Sequence, residues 1–195
     1  MINRCLNITN TFCHEWEFNP DKVIENDIGD WQDIWWGRWG LFDRNGLHCY
    51  TDDWRFENIW RNPENSLQHV YDKKIVISPD FSIFPHYTDE AIKWQLYRCW
   101  QIAGFWQHFK VPVIYSINWT NPEQIARHLK FYPETKIIAV RCAGKNYEAA
   151  WRAGAEAVME IMKPEQVLHF GTKLGIDVWG GCGIQLPLSS KTLKK

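Results

Sequence analysis

The sequence predicts an α/β protein of about five parallel βα units, curled into a partial or distorted barrel or laid out as a compact open sheet. Three observations carry this expectation. Short apolar runs recur from residue 47 onward at intervals of roughly 25 to 37 residues, the spacing of strand-plus-helix units. The runs are nearly continuous in apolar residues, as strands become when both faces are covered. The segments between them carry helix starts and stops.

"LHCYT" (47–51) is the first strand and leads into "DDWRFENIW". "KIVIS" (74–78) leads to a helix over 90–109, opened by Thr88 with Asp89 and Glu90 at the positive end of the helix dipole. In that helix Ile92, Trp94, Leu96, Trp100, Phe105 and Trp106 go right round, the pattern of a helix buried on more than one side. "VPVIYSI" (111–117) precedes "NPEQIARHLKF", where Asn121 is an N-cap with Pro122 at the first helical position. "KIIAVR" (136–141) is followed by a helix over 146–162. There Tyr147, Trp151, Gly154, Val158 and Ile161 form one stripe, Glu148 and Arg152 pair outward, and Pro164 ends the run. "QVLHFG" (166–171) is the last predicted strand. The glycine-rich "FGTKLGIDVWGGCGI" after it is a flexible exit or, with Lys173, a backbone cradle for an anion.

Residues 1–46 stand apart as a Trp-rich N-terminal elaboration packed on a 47–195 core. Within them "DIGDWQDIWWGRWGLFDRNG" fits a lid, an extra hairpin ending at "DRNG", or a flap over the barrel bottom. The 195 residues suit one domain. A formal net charge of −1 supplies no global field for nucleic acid or anionic membrane, and the basic tail "KTLKK" reads as a solvated end. No apolar run reaches the ~18 residues of a membrane span and the start lacks a signal-peptide core, so a cytoplasmic protein is expected. Six scattered cysteines give no disulfide framework. Cys13-His14 and His48-Cys49 with Cys5 or Cys182 have no zinc-site spacing behind them. Thirteen tryptophans must be largely core, with some free to act as stacking platforms.

In parallel α/β folds ligands bind beyond the carboxyl ends of the strands. The residues there are Asp52 and Asp53, then Asp80 and Ser82, Asn118 and Trp119, Arg141 and Cys142, and His169 with Gly171 and Thr172. Asp52, Asp53, Asp80, Arg141 and His169 are the candidates for catalysis. Ser82, Arg98, Asn118, Trp119 and Gly171 are candidates for ligand binding. Asp52 and Asp80 could hold Mg²⁺ or Mn²⁺ through oxygen, with the arginines meeting a phosphate. Alternatively, an aspartate acts as general base with His169. Each has a plainer role. One of Asp52 and Asp53 can cap a helix, Asp80 can close an Asx turn, and Asn118 can serve the next helix. Arg141 can pair with the aspartates, His169 can sit satisfied in the core, and Arg98 can stack on Trp94. GxGxxG, P-loop, HExxH and GxSxG motifs are absent.

"YTDDWRFENIWRNPE", "ISPDFSIF", "QLYRCWQIAGFWQ", "VPVIYSINW" and "YEAAWRAGAEAVMEIMKPEQVLHFG" together resemble a domain of unknown function, numbered 4417, of bacterial, plasmid and phage proteins. The resemblance covers about residues 47 to 172. It implies a phage or plasmid context and a shared site around Asp52, Asp53, Asp80, Ser82, Ser116 and Trp119. The chain departs from the family pattern around Ser116 and in its Trp-rich start. Two functions stand. One is a small enzyme acting on a phosphorylated ligand or nucleic acid with a divalent metal. The other is a non-catalytic phage or plasmid accessory protein that binds a host protein or sequesters a small ligand.

Overall fold

The computed structural model describes residues 29–142 and 144–189. Seven short strands are all parallel and lie side by side in chain order. They are β1 (Trp36–Arg38), β2 (Gly46–His48), β3 (Ile75–Ile77), β4 (Val113–Ile114), β5 (Ile137–Arg141), β6 (Gln166–Phe170) and β7 (Gly183–Leu186). β1 to β4 form one sheet and β5 to β7 another, joined by a bridge between Ser116 and Ala139. The helices are α1 (Glu57–Arg61), α2 (Pro63–Val70), α3 (Asp89–His108), α4 (Pro122–His128) and α5 (Glu148–Met162). None of the described helices is long and apolar enough to cross a membrane.

Successive strand residues point to opposite faces, and here both faces are buried. Val76, Val113, Ile138, Val140 and Val167 pack with Leu96, Ile102, Trp106, Ile125 and Val158 of the helices. Their neighbours Ile75, Ile77, Ile114, Ala139, Leu168, Phe170 and Leu186 meet one another, with Trp31 and Trp36, in a second cluster. The sheet is therefore curled around its own apolar filling. It is not a closed barrel: no backbone ladder joins β7 to β1 among the described residues. Side chains span that gap, with Gln32 Nε2 donating to the Gln185 carbonyl at 3.2 Å and Trp31 Nε1 to Gln166 Oε1 at 2.9 Å.

The helix signals act locally as expected. Thr88 Oγ1 accepts from the Ala91 amide and Asn121 Oδ1 from that of Gln124. α5 ends where Lys163 turns left-handed (φ 48°) before Pro164. Two expectations need correction. The turn through Asp43 to Gly46 does not make a hairpin, because the strands it joins, β1 and β2, are parallel. The glycine-rich end is not a loose exit, because Gly183–Leu186 pairs with β6. The basic tail and the Cys5 and Cys13-His14 pieces lie outside the described residues.

Candidate functional site

The inner face changes character one pleat beyond the apolar filling. Following each strand two residues at a time, Trp36 leads to Arg38, His48 to Tyr50, Ile114 to Ser116 and Asn118, and Ala139 to Arg141. β3 ends in Ser78-Pro79-Asp80. The result is a polar rim at one end of the curled sheet.

Asp80 is its centre. Asn118 Nδ2 donates to Asp80 Oδ1 at 2.8 Å and to the Phe81 carbonyl at 3.0 Å. Ser116 Oγ lies 3.1 Å from Asp80 Oδ1 and 3.1 Å from the Tyr50 hydroxyl. Ser116 has one hydroxyl proton, and a carboxylate is the stronger acceptor. Ser116 therefore donates to Asp80 and accepts the hydrogen bond of the Tyr50 hydroxyl, giving a chain of hydrogen bonds from Tyr50 through Ser116 to Asp80. Both side-chain donors converge on Oδ1, so Oδ2 is left to carry a proton or meet a ligand. Burial pushes the Asp80 carboxyl up to about 6, against the pull of Ser116, Arg141 and Asn118 and with the help of Asp53.

His48 sits beneath this rim, fully buried, its ring 5.1 Å from those of Tyr50 and Phe170. Nδ1 accepts from the Tyr50 amide at 3.2 Å, so Nε2 carries the hydrogen given to the Leu188 carbonyl at 2.6 Å. Burial, with the charges of Arg141 and Arg38 adding to it and the Leu188 hydrogen bond opposing, lowers its pKa to about 4. His48 is a neutral clamp between β2 and the chain after β7. Arg38 and Arg141 have no ion-pair partner among the described residues, although both act electrostatically on the rim.

The other predicted residues divide. Asp53 accepts from the Ser82 amide at 3.0 Å and its hydroxyl at 2.8 Å, which ties the loop after β3 to the turn after β2. Asp52 faces outward, 3.5 Å from Arg55. Arg98 is buried in the helix layer, bonded to Gln95, paired with Glu57 at 2.9 Å and stacked 3.6 Å over Phe81, closer than to Trp94. His169 is satisfied on the outer face: Trp179 Nε1 donates to Nδ1 and the Thr172 carbonyl faces Nε2, both at 2.9 Å. Among the described residues no three His, Cys, Asp or Glu side chains gather as a metal-ligand group.

Trp119 donates from Nε1 to the Trp151 carbonyl at 3.1 Å, and its ring fills the notch left by Gly154 in α5. A methyl at position 154 would occupy the space of the indole. Gly154→Ala is expected to lower unfolding stability by about 1–3 kcal/mol, despite the ~1 kcal/mol that alanine adds to a helix; urea denaturation checks this.

Gly171, with φ 114°, leaves room for Cys142 Sγ, where a side chain would collide. Burial raises the Cys142 thiol, but hydrogen bonds from His169 and Thr172 outweigh it and bring the pKa to about 7. The Nε2 of His169 is committed to the Thr172 carbonyl, so the closest donor on the sulfur is the Thr172 amide, at 3.1 Å.

Tyr50, His48 and Arg38 are the rim members that reading the strand ends missed. Tyr50 and His48 belong to the "LHCYT" run and were passed over as strand. Arg38 lies on a strand too short to announce itself.

The family described as "Domain of unknown function (DUF4417)" matches residues 41–178, well over half of the chain. The "Gene 1 protein" of Mycobacterium phage D29 is 24% identical over 159 residues, covering 80% of this chain and 59% of the phage protein. The "Gene 1 protein" of Mycobacterium phage L5 is 28% identical over 134 residues, covering 66% and 58%. The chain thus spans under two thirds of the length of either relative. No solved structure matches it.

Proposed function

This chain belongs to the family of unknown function DUF4417, and on that premise we propose that it binds a phosphate-bearing ligand at the strand-end rim and exchanges a proton with it through Asp80. The observation that carries the reading is a carboxyl with one oxygen held by two donors and the other left over, electrostatically coupled to an arginine that has no acidic partner among the described residues. Guanidinium groups suit phosphate oxygens, as charged forks of donors. A carboxyl titrating near 6 is still protonated about one time in ten at pH 7, against about one in a thousand for an ordinary aspartate, which suits general acid–base catalysis. The hydroxyls of Tyr50 and Ser116 end in a hydrogen-bonded chain on the same carboxyl, and burial raises the Tyr50 hydroxyl well above its ordinary value, so it stays a donor. Among the described residues no three acidic, imidazole or thiol side chains gather as ligands for Mg²⁺ or Mn²⁺, and Asp52 faces outward toward Arg55.

The rival is a non-catalytic accessory protein, in a phage or plasmid setting, that binds a host protein or sequesters a small ligand. The hydrogen bonds of Asp80 favour it to this extent: they link the ends of β2, β3 and β4 and would serve any protein of this shape.

Ribose 5-phosphate separates a phosphate site from an accessory protein that binds a host protein. Measured by calorimetry, it is expected to bind the wild type and to bind Arg141→Ala at least tenfold more weakly. Arg141 is exposed, so its removal should leave the melting temperature without ligand unchanged. Ligand at 100 times Kd should add about 2.7 kcal/mol of stability. No binding by ribose 5-phosphate or inorganic phosphate would favour the accessory role.

A further inference from the structure

Beside the rim lies a cavity of about 400 Å³, lined by Arg38, Trp39, Leu41, Phe42, Trp54 and Arg55. Its volume is in the range of small-molecule sites. Trp39 and Phe42 belong to the packed interior, their rings edge to face at 5.1 Å. Trp54 does not: it is 70% exposed, the most open of the described tryptophans whose exposure stands out. The indole is nevertheless held in place. It lies in the 3-10 turn Asp53–Arg55, whose first residue is anchored to Ser82, and the Arg55 guanidinium stacks 4.3 Å from its ring centre.

Arg38 connects this cavity to the rim. It lines the cavity with Trp54, and it lies opposite His48 in the β1–β2 register, where the Tyr50 amide donates to the His48 ring. Asp53, next to Trp54 in the chain, accepts from the amide and hydroxyl of Ser82, two residues beyond Asp80. Cavity and rim are therefore neighbours at one end of the sheet: an aromatic platform on one side, Arg38 beside it, and the Asp80 carboxyl beyond Tyr50 and Ser116.

We infer that the rim ligand is a nucleotide whose base stacks on Trp54 while its phosphate reaches Arg38 and Arg141. This rests on the phosphate reading above and narrows it. Stacking on an exposed indole selects a flat aromatic group. The two cavity arginines, of which only Arg55 has a carboxylate near it, select an anion attached to that group. The net charge of −1 gives no field to gather a long strand, so the ligand is a mononucleotide.

The 195-residue chain is titrated with AMP, ribose 5-phosphate and a short oligothymidylate, as wild type, Trp54→Ala and Arg141→Ala. AMP is expected to bind the wild type at least tenfold more tightly than ribose 5-phosphate. Trp54→Ala should erase that difference and leave ribose 5-phosphate unaffected, whereas Arg141→Ala should weaken both. Equal binding of AMP and ribose 5-phosphate, with Arg141 still required, overturns the base platform and leaves the phosphate site standing. Loss of both ligands to the same degree in Trp54→Ala also overturns it. Binding of the oligothymidylate without AMP overturns the mononucleotide assignment. If none of the three binds the wild type, the phosphate reading itself falls, and the platform with it. Trp54 is exposed, so unchanged melting of Trp54→Ala shows that its effect is on the ligand.

Discussion

Trp36→Ala is expected to cost about 3–5 kcal/mol of unfolding free energy, the range for emptying the space of a large buried aromatic. Trp36 has no exposed surface and stands inside the curl of the sheet, edge-on to Phe170 with ring centres 4.8 Å apart. Its Nε1 donates to the Trp31 carbonyl at 3.3 Å. It sits opposite Gly46 in the β1–β2 register, and a Cβ on Gly46 would come within 2.9 Å of the indole. The glycine is thus the socket for the tryptophan. Phe170 in turn packs on His48 and Tyr50, so the cavity would open directly under the rim. Guanidinium denaturation measures the loss. A cost under about 1 kcal/mol would mean that β1 is a cover lying on the sheet rather than part of its filling.

Asp80→Asn is expected to make the protein more stable at pH 7.5. Asparagine keeps an oxygen for Ser116 and Asn118 but carries no charge. The sign follows from linkage. The Asp80 carboxyl has an ordinary value of 3.8 and a folded value of about 6, so the folded state holds the proton more tightly. Its contribution is fully present below the ordinary value and is lost as pH rises through 6. His48 runs the other way: its folded value of about 4 lies below 6.5, so its contribution is present above 6.5 and lost as pH falls through 4. Between pH 4 and 6 the two slopes oppose. Wild-type stability should therefore be nearly flat there with respect to this pair, whereas Asp80→Asn should weaken steadily as pH falls. The difference between the two proteins should grow to about 3 kcal/mol on passing from pH 4 to 7.5. Thermal melts across that range check it, and a variant less stable than the wild type at every pH would make Asp80 a purely structural residue.

The βα period and the helix caps were legible because they are local. Thr88 and Asn121 accept the hydrogen bonds their positions imply, and the apolar runs of β3 to β6 are buried on both faces. β1 and β7 were not legible. Trp36-Gly37-Arg38 and Gly183-Ile184-Gln185-Leu186 lack the β-branched runs that mark strands, and their pairing is supplied by neighbours distant in sequence. The site was legible in location more than in membership. Counting residues after each strand finds Asp80, Asn118 and Arg141, but it ignores which face each one takes. Face explains the rest. His169 alternates with Leu168 and Phe170 and so points into the helix layer, while Tyr50 and Ser116 fall on the inner side. Arg98 lies on α3, outside the sheet, where Glu57 and Gln95 hold it.

Titration of the Asp80 carboxyl carbon by NMR tests the rim most directly. The midpoint should lie near 6 in the wild type and move upward in Arg141→Ala, since the Arg141 charge holds it down. A midpoint in the ordinary carboxylate range, unmoved by that substitution, would contradict a rim that gathers these strand ends around Asp80.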